Sequence, residues 1–388
     1  MMRDLSRAVV LDPGSDTLKA GFAGEDFPSV VCPSLVCKGA LPPDVSDALF
    51  SVLDAEDVDF DSSSSEHSNS PCDIHLEVPI EHGLIADWEA MVDMLELTFK
   101  DRLAVDPKDH PILITESPVN PAYLREKLTE IMFETFGTPG LYVKDTSVLS
   151  LFSVGLDNGI VVESGHASTY TSVVHDGVVL RNTIPKTFYS GNDVTKYVMR
   201  MLSKKSECKD GNDIIAVAKA VKESICFVSE DFSADLKLAQ SMDIYERLFD
   251  LPNGKQISLN LERMFAGECL FRPEIFGCNC PGLHRQVGRT LNLANPDIRR
   301  SVCQNVVLSG GNTLFPGLSV RLQMELNRLI PCSYGVKVLE YPDKQHYAAW
   351  IGGSKMASSD DMLTRWISKE DYECHGAAIV NKKCTLSN

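Results

Sequence analysis

The sequence predicts an α/β fold in which two similar domains face each other across a cleft, and three stretches of chain predict it. Residues 8–12, AVVLD, lead into Pro13-Gly14-Ser15 and then into residues 17–21, TLKAG. Further along, residues 159–163, GIVVE, lead into Ser164-Gly165-His166 and then into residues 168–174, STYTSVV. In both, an apolar strand ends in an acidic residue two places before a glycine, and a second strand-like run follows, which is a repeated hairpin signal. The third stretch runs from residues 305–309, NVVLS, through Gly310-Gly311-Asn312-Thr313 and Pro316-Gly317 into a helical segment at 318–329. A strand passing through glycine into a helix places backbone N–H groups and a helix N-terminus near an anion, and paired turns of amides point at one ligand. One such turn carries little weight, because tight turns also use glycine and serine for steric reasons. Three with the same polarity carry the prediction.

Taken in order, the segments between the turns read as helices. Residues 123–133, YLREKLTEIMF, put Leu124, Leu128, Ile131 and Met132 on one face. Residues 147–156, 193–202 and 213–228 show similar stripes, which read as core-facing. Residues 39–77 differ: they include LPPDVSDALF, DAEDVDFD and the run SSSSE, an acidic, serine-rich and base-free composition that reads as a mobile, solvated excursion. The sharper alternative is a partner-binding or phosphorylatable arm around Leu49, Phe50, Val58 and Phe60.

At 388 residues the chain is long for one core. Its 44% hydrophobic and 23% charged content is that of an ordinary globular protein. No apolar run approaches a membrane span, and the opening MMRDLSRAVV reads as lacking a signal-peptide apolar region. Twelve scattered cysteines suit reduced thiols inside a cell. Cys278-Asn-Cys280 lacks a partner pair at zinc-site spacing, so no metal is expected there. Net charge is −17, and residues 39–99 hold fifteen Asp and Glu with no Lys or Arg, so this stretch supplies most of it. The rest is near balance, which argues against direct nucleic-acid binding and leaves room for a basic protein partner.

Together these residues resemble the actin and actin-related protein family. The likeness runs from about Ala8 to Cys384 and is densest in LKAGFAGED, VPIEHGLIADWEAM, HPILITESPVNP, REKLTEIMFETFG, VLSLFSVG, VLSGGNTLFPG, AAWIGGS and the tail VNKKC. It implies two similar α/β domains, each with a smaller subdomain, around a cleft for ATP with Mg or Ca. The implied division is 1–33 with 79–153 and 348–388 for the outer large part, and 34–78 for the outer small part. It continues with 154–190 and 278–347 for the inner large part, and 191–277 for the inner small part. Gly14, Ser15, Asp16, Thr17 and Lys19 match the turn that holds the β-phosphate, and Asp12 matches an acid acting through water on the cation. Glu163, Gly165 and His166 fall in the second turn, and Gly191, Lys222, Glu223, Gly310, Gly311, Phe315 and His346 match positions around phosphates, ribose and adenine. An acidic, several-residues-longer segment replaces the family's short DNase-binding loop.

The departures matter as much as the matches. Asp16 stands where actin has glycine, and a carboxylate beside polyphosphate would cost several kcal/mol if buried and unpaired. It would cost little if turned to solvent or paired with a cation. In the second turn Glu163 is one methylene longer than the family's acid, His166 replaces an acid, Ala167 a glycine, and Tyr170 a histidine. Thr146 falls where actin has its water-positioning glutamine, and its hydroxyl is too short to span the same gap. Phosphoanhydride hydrolysis is mostly positioning and electrostatics, so the resemblance implies no catalytic residues and little or no ATP hydrolysis.

Three functions compete at this point. A divergent, non-polymerising or weakly polymerising scaffold subunit of a larger assembly, chromatin-remodelling or cytoskeletal, fits best, with ATP as a structural ligand. Its partners would be protein subunits, actin or another actin-related protein among them, and its place intracellular, in cytoplasm, cytoskeleton or nucleus. An ATP-hydrolysing filament former fits poorly, since an acidic loop opposes self-association. An enzyme of the wider sugar-kinase and heat-shock ATPase superfamily is remote. Deleting residues 54–70 is expected to leave the melting temperature within a degree or two; a large loss in a thermal scan would show that the acidic segment packs on the body.

Overall fold

The computed structural model describes residues 7–38, 75–185, 189–208, 214–341 and 344–384. Most of the acidic stretch, and with it Leu49, Phe50, Val58 and Phe60, lies outside the described residues. In chain order the strands begin with β1 (Val9–Pro13), β2 (Thr17–Phe22), β3 (Val30–Pro33) and β4 (Val36–Lys38). Next come β5 (His75–Glu77), β6 (Ile80–Glu81), β7 (Leu84–Ile85), β8 (Ile112–Glu116) and β9 (Gly140–Asp145). β10 (Gly159–Ser164), β11 (Thr169–His175), β12 (Val178–Val179), β13 (Arg247–Asp250) and β14 (Gln256–Leu259) follow. The last are β15 (Val306–Ser309), β16 (Val338–Leu339) and β17 (Ile367–Ser368).

Two sheets dominate, in the orders β17-β9-β8-β1-β2-β3 and β12-β11-β10-β15-β16. Read from β9 and from β16, they match strand for strand in direction: two parallel pairings, then two antiparallel ones. The echo heard in the sequence is therefore a duplicated topology, with β1 corresponding to β10 and β2 to β11. Val9, Val10 and Leu11, like Ile160, Val161 and Val162, are completely buried. Continuous apolar runs of this kind belong to central strands covered on both faces.

Each sheet has its own core. One draws on residues 8–149 and 349–384, the other on residues 160–338. A small cluster joins them, in which Val148 and Leu151 of the helix Thr146–Ser153 pack with Val161, Val174 and Val307 of the second sheet. The expected helices are present, most with shifted ends: Ala122–Glu130 runs on into a wider turn at Ile131–Thr135, Gly191–Leu202 and Ile214–Ile225 follow, and Leu318–Leu329 keeps its expected bounds. One expectation is corrected. The excursion was expected to reach Glu77, but residues 75–77 are a strand, held by antiparallel pairing of Val36 with Glu77 and Cys37 with Leu76. Among the described residues no helix is long and apolar enough to cross a membrane.

The AAWIGGS motif forms the helix Ala348–Ala357, which crosses Thr146–Ser153 at backbone contact. A Cβ on Gly352 would lie 1.9 Å from the Leu149 carbonyl oxygen, and one on Gly353 would lie 2.9 Å from Val10 Cγ1. Trp350 is fully buried beside them and donates its indole N–H to Val10 O at 3.1 Å. Gly352→Ala should lower the unfolding free energy by about 3 kcal/mol, the upper end of overpacking costs. Gly311→Ala, where an added Cβ meets nothing within 4 Å, should change it by less than about 0.5 kcal/mol. Denaturant unfolding of the two variants checks both figures.

Candidate functional site

All three turns open onto one cleft of about 470 Å³, a volume suited to a small-molecule ligand. The first two turns close in the same way: Gly14 N–H donates to Thr17 O at 3.1 Å, and Gly165 N–H to Ser168 O at 2.9 Å. Ser34 braces the first, its hydroxyl donating to Gly14 O at 2.6 Å and its N–H to Asp16 O at 2.9 Å. The start of the helix Gly191–Leu202 braces the second, with Gly191 N–H on Gly165 O and Asn192 N–H on His166 O, both at 2.9 Å. Gly310 has φ +92 and would place a Cβ 2.4 Å from Ser164 O, so only glycine lets the third turn lie against the second. Asn312 Nδ2 completes that contact with Ser164 Oγ at 2.9 Å.

Charged groups line the floor and rim. Lys19 Nζ lies 3.4 Å from Asp12, whose carboxylate also accepts from Thr115 Oγ1 at 2.5 Å. Ser147, at the start of its helix, donates to Glu163, and Thr146 stands beside the same carboxyl. Burial pushes the Glu163 carboxyl up to about 7; those two hydroxyls oppose the rise, and Asp12 and Asp145 nearby add to it. Lys222 donates to Thr195 Oγ1 at 2.9 Å and Gly191 O at 3.4 Å, and pairs with Glu223 at 3.7 Å. Burial lowers its pKa.

The family model for actin matches residues 3–385, nearly the whole chain. The chain belongs to the actin family. Its two-domain α/β architecture is an actin-like fold, and the cleft between the halves is where the family's nucleotide would sit. Gly14, Ser15, Asp16, Thr17, Lys19, Asp12 and Glu163 all line this cleft. So do Gly165, His166, Gly191, Lys222, Glu223, Gly310, Gly311, Phe315 and His346, together with Thr146 and Tyr170. The alternative in which Lys222 and Glu223 form an exposed pair holds for half of it: Lys222 is buried, while the Glu223 side chain is 51% exposed.

Asp16 points across the cleft. Its carboxylate lies 3.4 Å from Lys219 Nζ on the helix Ile214–Ile225 and 3.6 Å from His166 Nδ1 in the opposite turn. Burial raises its pKa, but attraction to His166 and Lys219 outweighs this and holds it below the usual carboxylate value. Burial also lowers His166, against the pull of Asp16, so at neutral pH Lys219 carries most of the ionic attraction. Tyr170 is engaged as well: its hydroxyl donates to His82 O at 2.9 Å, and His82 Nδ1 lies 3.4 Å from Ala167 O. Arg181 reaches over to Asp145 at 2.9 Å and to the Pro118 carbonyl.

Lys219, Ser147, Thr115 and Arg181 escaped the sequence reading. Lys219 was within reach of it, three residues before Lys222 and so on the same helix face; the other three carry no local signal. The groups present fit an adenine-nucleotide anion, since three glycine turns, Lys19 and Lys222 converge on one space. His346 Nδ1 and Asn312 Oδ1, both on residues lining the cleft, are buried without a protein hydrogen-bond partner, as an incomplete ligand site leaves them. For a cation, Asp12 and Glu163 are the carboxylates at hand. Among the described residues no three His, Cys, Asp or Glu could hold a metal together. Phosphate oxygens and water would therefore complete the shell, as suits magnesium or calcium. Cys278 and Cys280 bring their sulfurs to 3.0 Å but join no such group.

The raised Glu163 carries a pH signature for the nucleotide-free protein. Between its ordinary 4.5 and about 7 the folded state binds the extra proton, so this group's stabilising contribution is full below 4.5 and fades as pH rises through 7. Glu163→Gln should remove a slope amounting to on the order of 3 kcal/mol across that window, read as the difference between wild-type and variant unfolding curves from pH 4.5 to 7.5.

Proposed function

We propose that this actin-family chain is a divergent actin-related protein, a scaffold subunit that polymerises weakly or not at all. It holds an adenine nucleotide with magnesium or calcium, ATP on the family's pattern, as a structural ligand and hydrolyses little or none. One observation carries the reading: the side chains at the hydrolytic positions are committed to other protein groups. Tyr170 donates to the His82 carbonyl, His166 faces Asp16, and Thr146 stands beside Glu163. Positioning an attacking water needs donors and acceptors that face it, and these face one another.

In this reading Lys19 and the glycine turns hold the phosphates, Asp12 and Glu163 meet the cation through water, Lys222 and Glu223 lie near ribose and adenine, and Phe315 and His346 flank the base. The division proposed from the sequence, with small parts at 34–78 and 191–277, is kept. Partners are protein subunits of a chromatin-remodelling or cytoskeletal assembly, actin or another actin-related protein among them, in the cytoplasm or nucleus. The acidic stretch 39–74 would meet a basic surface on such a partner.

The filament-forming ATPase keeps one point in its favour. A carboxyl titrating near 7 on the cleft floor, as Glu163 does, is poised as a general base would be. Turnover decides between the two. With magnesium and ATP the purified protein should gain roughly 3 to 4 kcal/mol of stability at 100 to 1,000 times the dissociation constant and release no phosphate above the buffer blank. Cation-dependent release at actin-like rates would overturn the proposal.

A further inference from the structure

The two phosphate-type turns do not face each other across empty space, because Asp16 spans the gap. Its carboxylate stands 3.6 Å from His166, at the tip of the second turn, and 3.4 and 3.5 Å from Lys219 through its two oxygens. The residue is anchored on its own side by the Ser34 N–H on its carbonyl at 2.9 Å. It is not among the non-glycine residues with positive φ, so nothing in the backbone strains it out of this position. Lys19 is paired with Asp12, and Lys222 with Glu223 and the Gly191 carbonyl. Lys219 and His166, two further basic groups at the junction of the turns, are met by Asp16.

We propose that Asp16 is a specificity-determining residue that makes this cleft favour a nucleoside diphosphate over the corresponding triphosphate. The inference rests on reading the cleft as an adenine-nucleotide site that accepts ATP, and adds that the corresponding diphosphate is held more tightly. A polyphosphate that engages the amides of both turns must pass the gap between them, and there it meets the Asp16 carboxylate, 3.6 Å from His166 in the second turn. A diphosphate can rest on the first turn and Lys19 and stop short of it. A triphosphate brings one further negative charge to the carboxylate, so it either meets like charge or displaces Asp16 and breaks the bridge to Lys219.

Isothermal titration of nucleotide-free protein with magnesium-ADP and with a magnesium complex of a non-hydrolysable ATP analogue tests this. Wild type should bind the diphosphate about tenfold more tightly or better. Asp16→Gly should bring the ratio to one or reverse it, chiefly by strengthening triphosphate binding. Asp16→Asn, which keeps the bulk and removes the charge, should follow Asp16→Gly, and melting curves of both variants verify folding. A wild-type preference for the triphosphate, equal affinities, or variants that shift both nucleotides by the same factor would overturn the inference while leaving the nucleotide site standing. If neither nucleotide binds wild type or variant, the reading of the cleft falls with it; binding gained only in Asp16→Gly and Asp16→Asn would overturn the inference too, because the wild-type cleft would then hold no diphosphate.

Discussion

The close crossing of the helices Thr146–Ser153 and Ala348–Ala357 is the constraint on which the rest of the molecule depends. At Gly352 one backbone lies directly on another, with no room for a single carbon atom beyond the main chain. That contact seats the helix Thr146–Ser153 between the two sheets, so that its first residues reach the cleft floor. Val148 and Leu151, from the same helix, pack against the second sheet. Protein interiors resist such close approach unless one partner is glycine. Ser147 can hold Glu163 only because the helix that carries it is fixed there.

Around this frame the cleft has the shape of an anion site and an unusual distribution of charge. The backbone part is intact in three places, with the same closing hydrogen bond in the two duplicated turns. The side-chain part has turned inward: carboxylate meets ammonium, hydroxyl meets carboxyl, and phenol meets carbonyl across the gap. Tyr170 with His82, Arg181 with Asp145, and Asp16 with Lys219 each tie one half of the molecule to the other. These contacts join the halves through protein groups.

Much of this was legible in the sequence. Apolar runs ending in an acid and a glycine, met twice with a third strand into Gly-Gly, disclosed both the duplication and the floor of the cleft. The antiparallel return of a hairpin follows from local pattern, and a turn that needs glycine can be recognised by it. Helix ends were less legible: the segment read as 213–228 ends as a helix at Ile225, and the one read as 147–156 begins at Thr146 and ends at Ser153. End positions depend on what caps and packs against the last turn, which a stripe of apolar residues does not encode.

By itself, the sequence determined the fold class and the three glycine turns, because backbone conformation is set largely by neighbours along the chain; the other residues named for the cleft came through the family resemblance. The fate of Asp16 was decided only by the tertiary structure. From the chain alone a carboxylate beside a phosphate turn is equally a defect, a solvent-facing side chain or half of an ion pair. Lys219 lies far away in sequence and pairs with it only once the helix Ile214–Ile225 stands across the cleft. Charge interactions act through space at a few ångströms, so their partners are settled by folding.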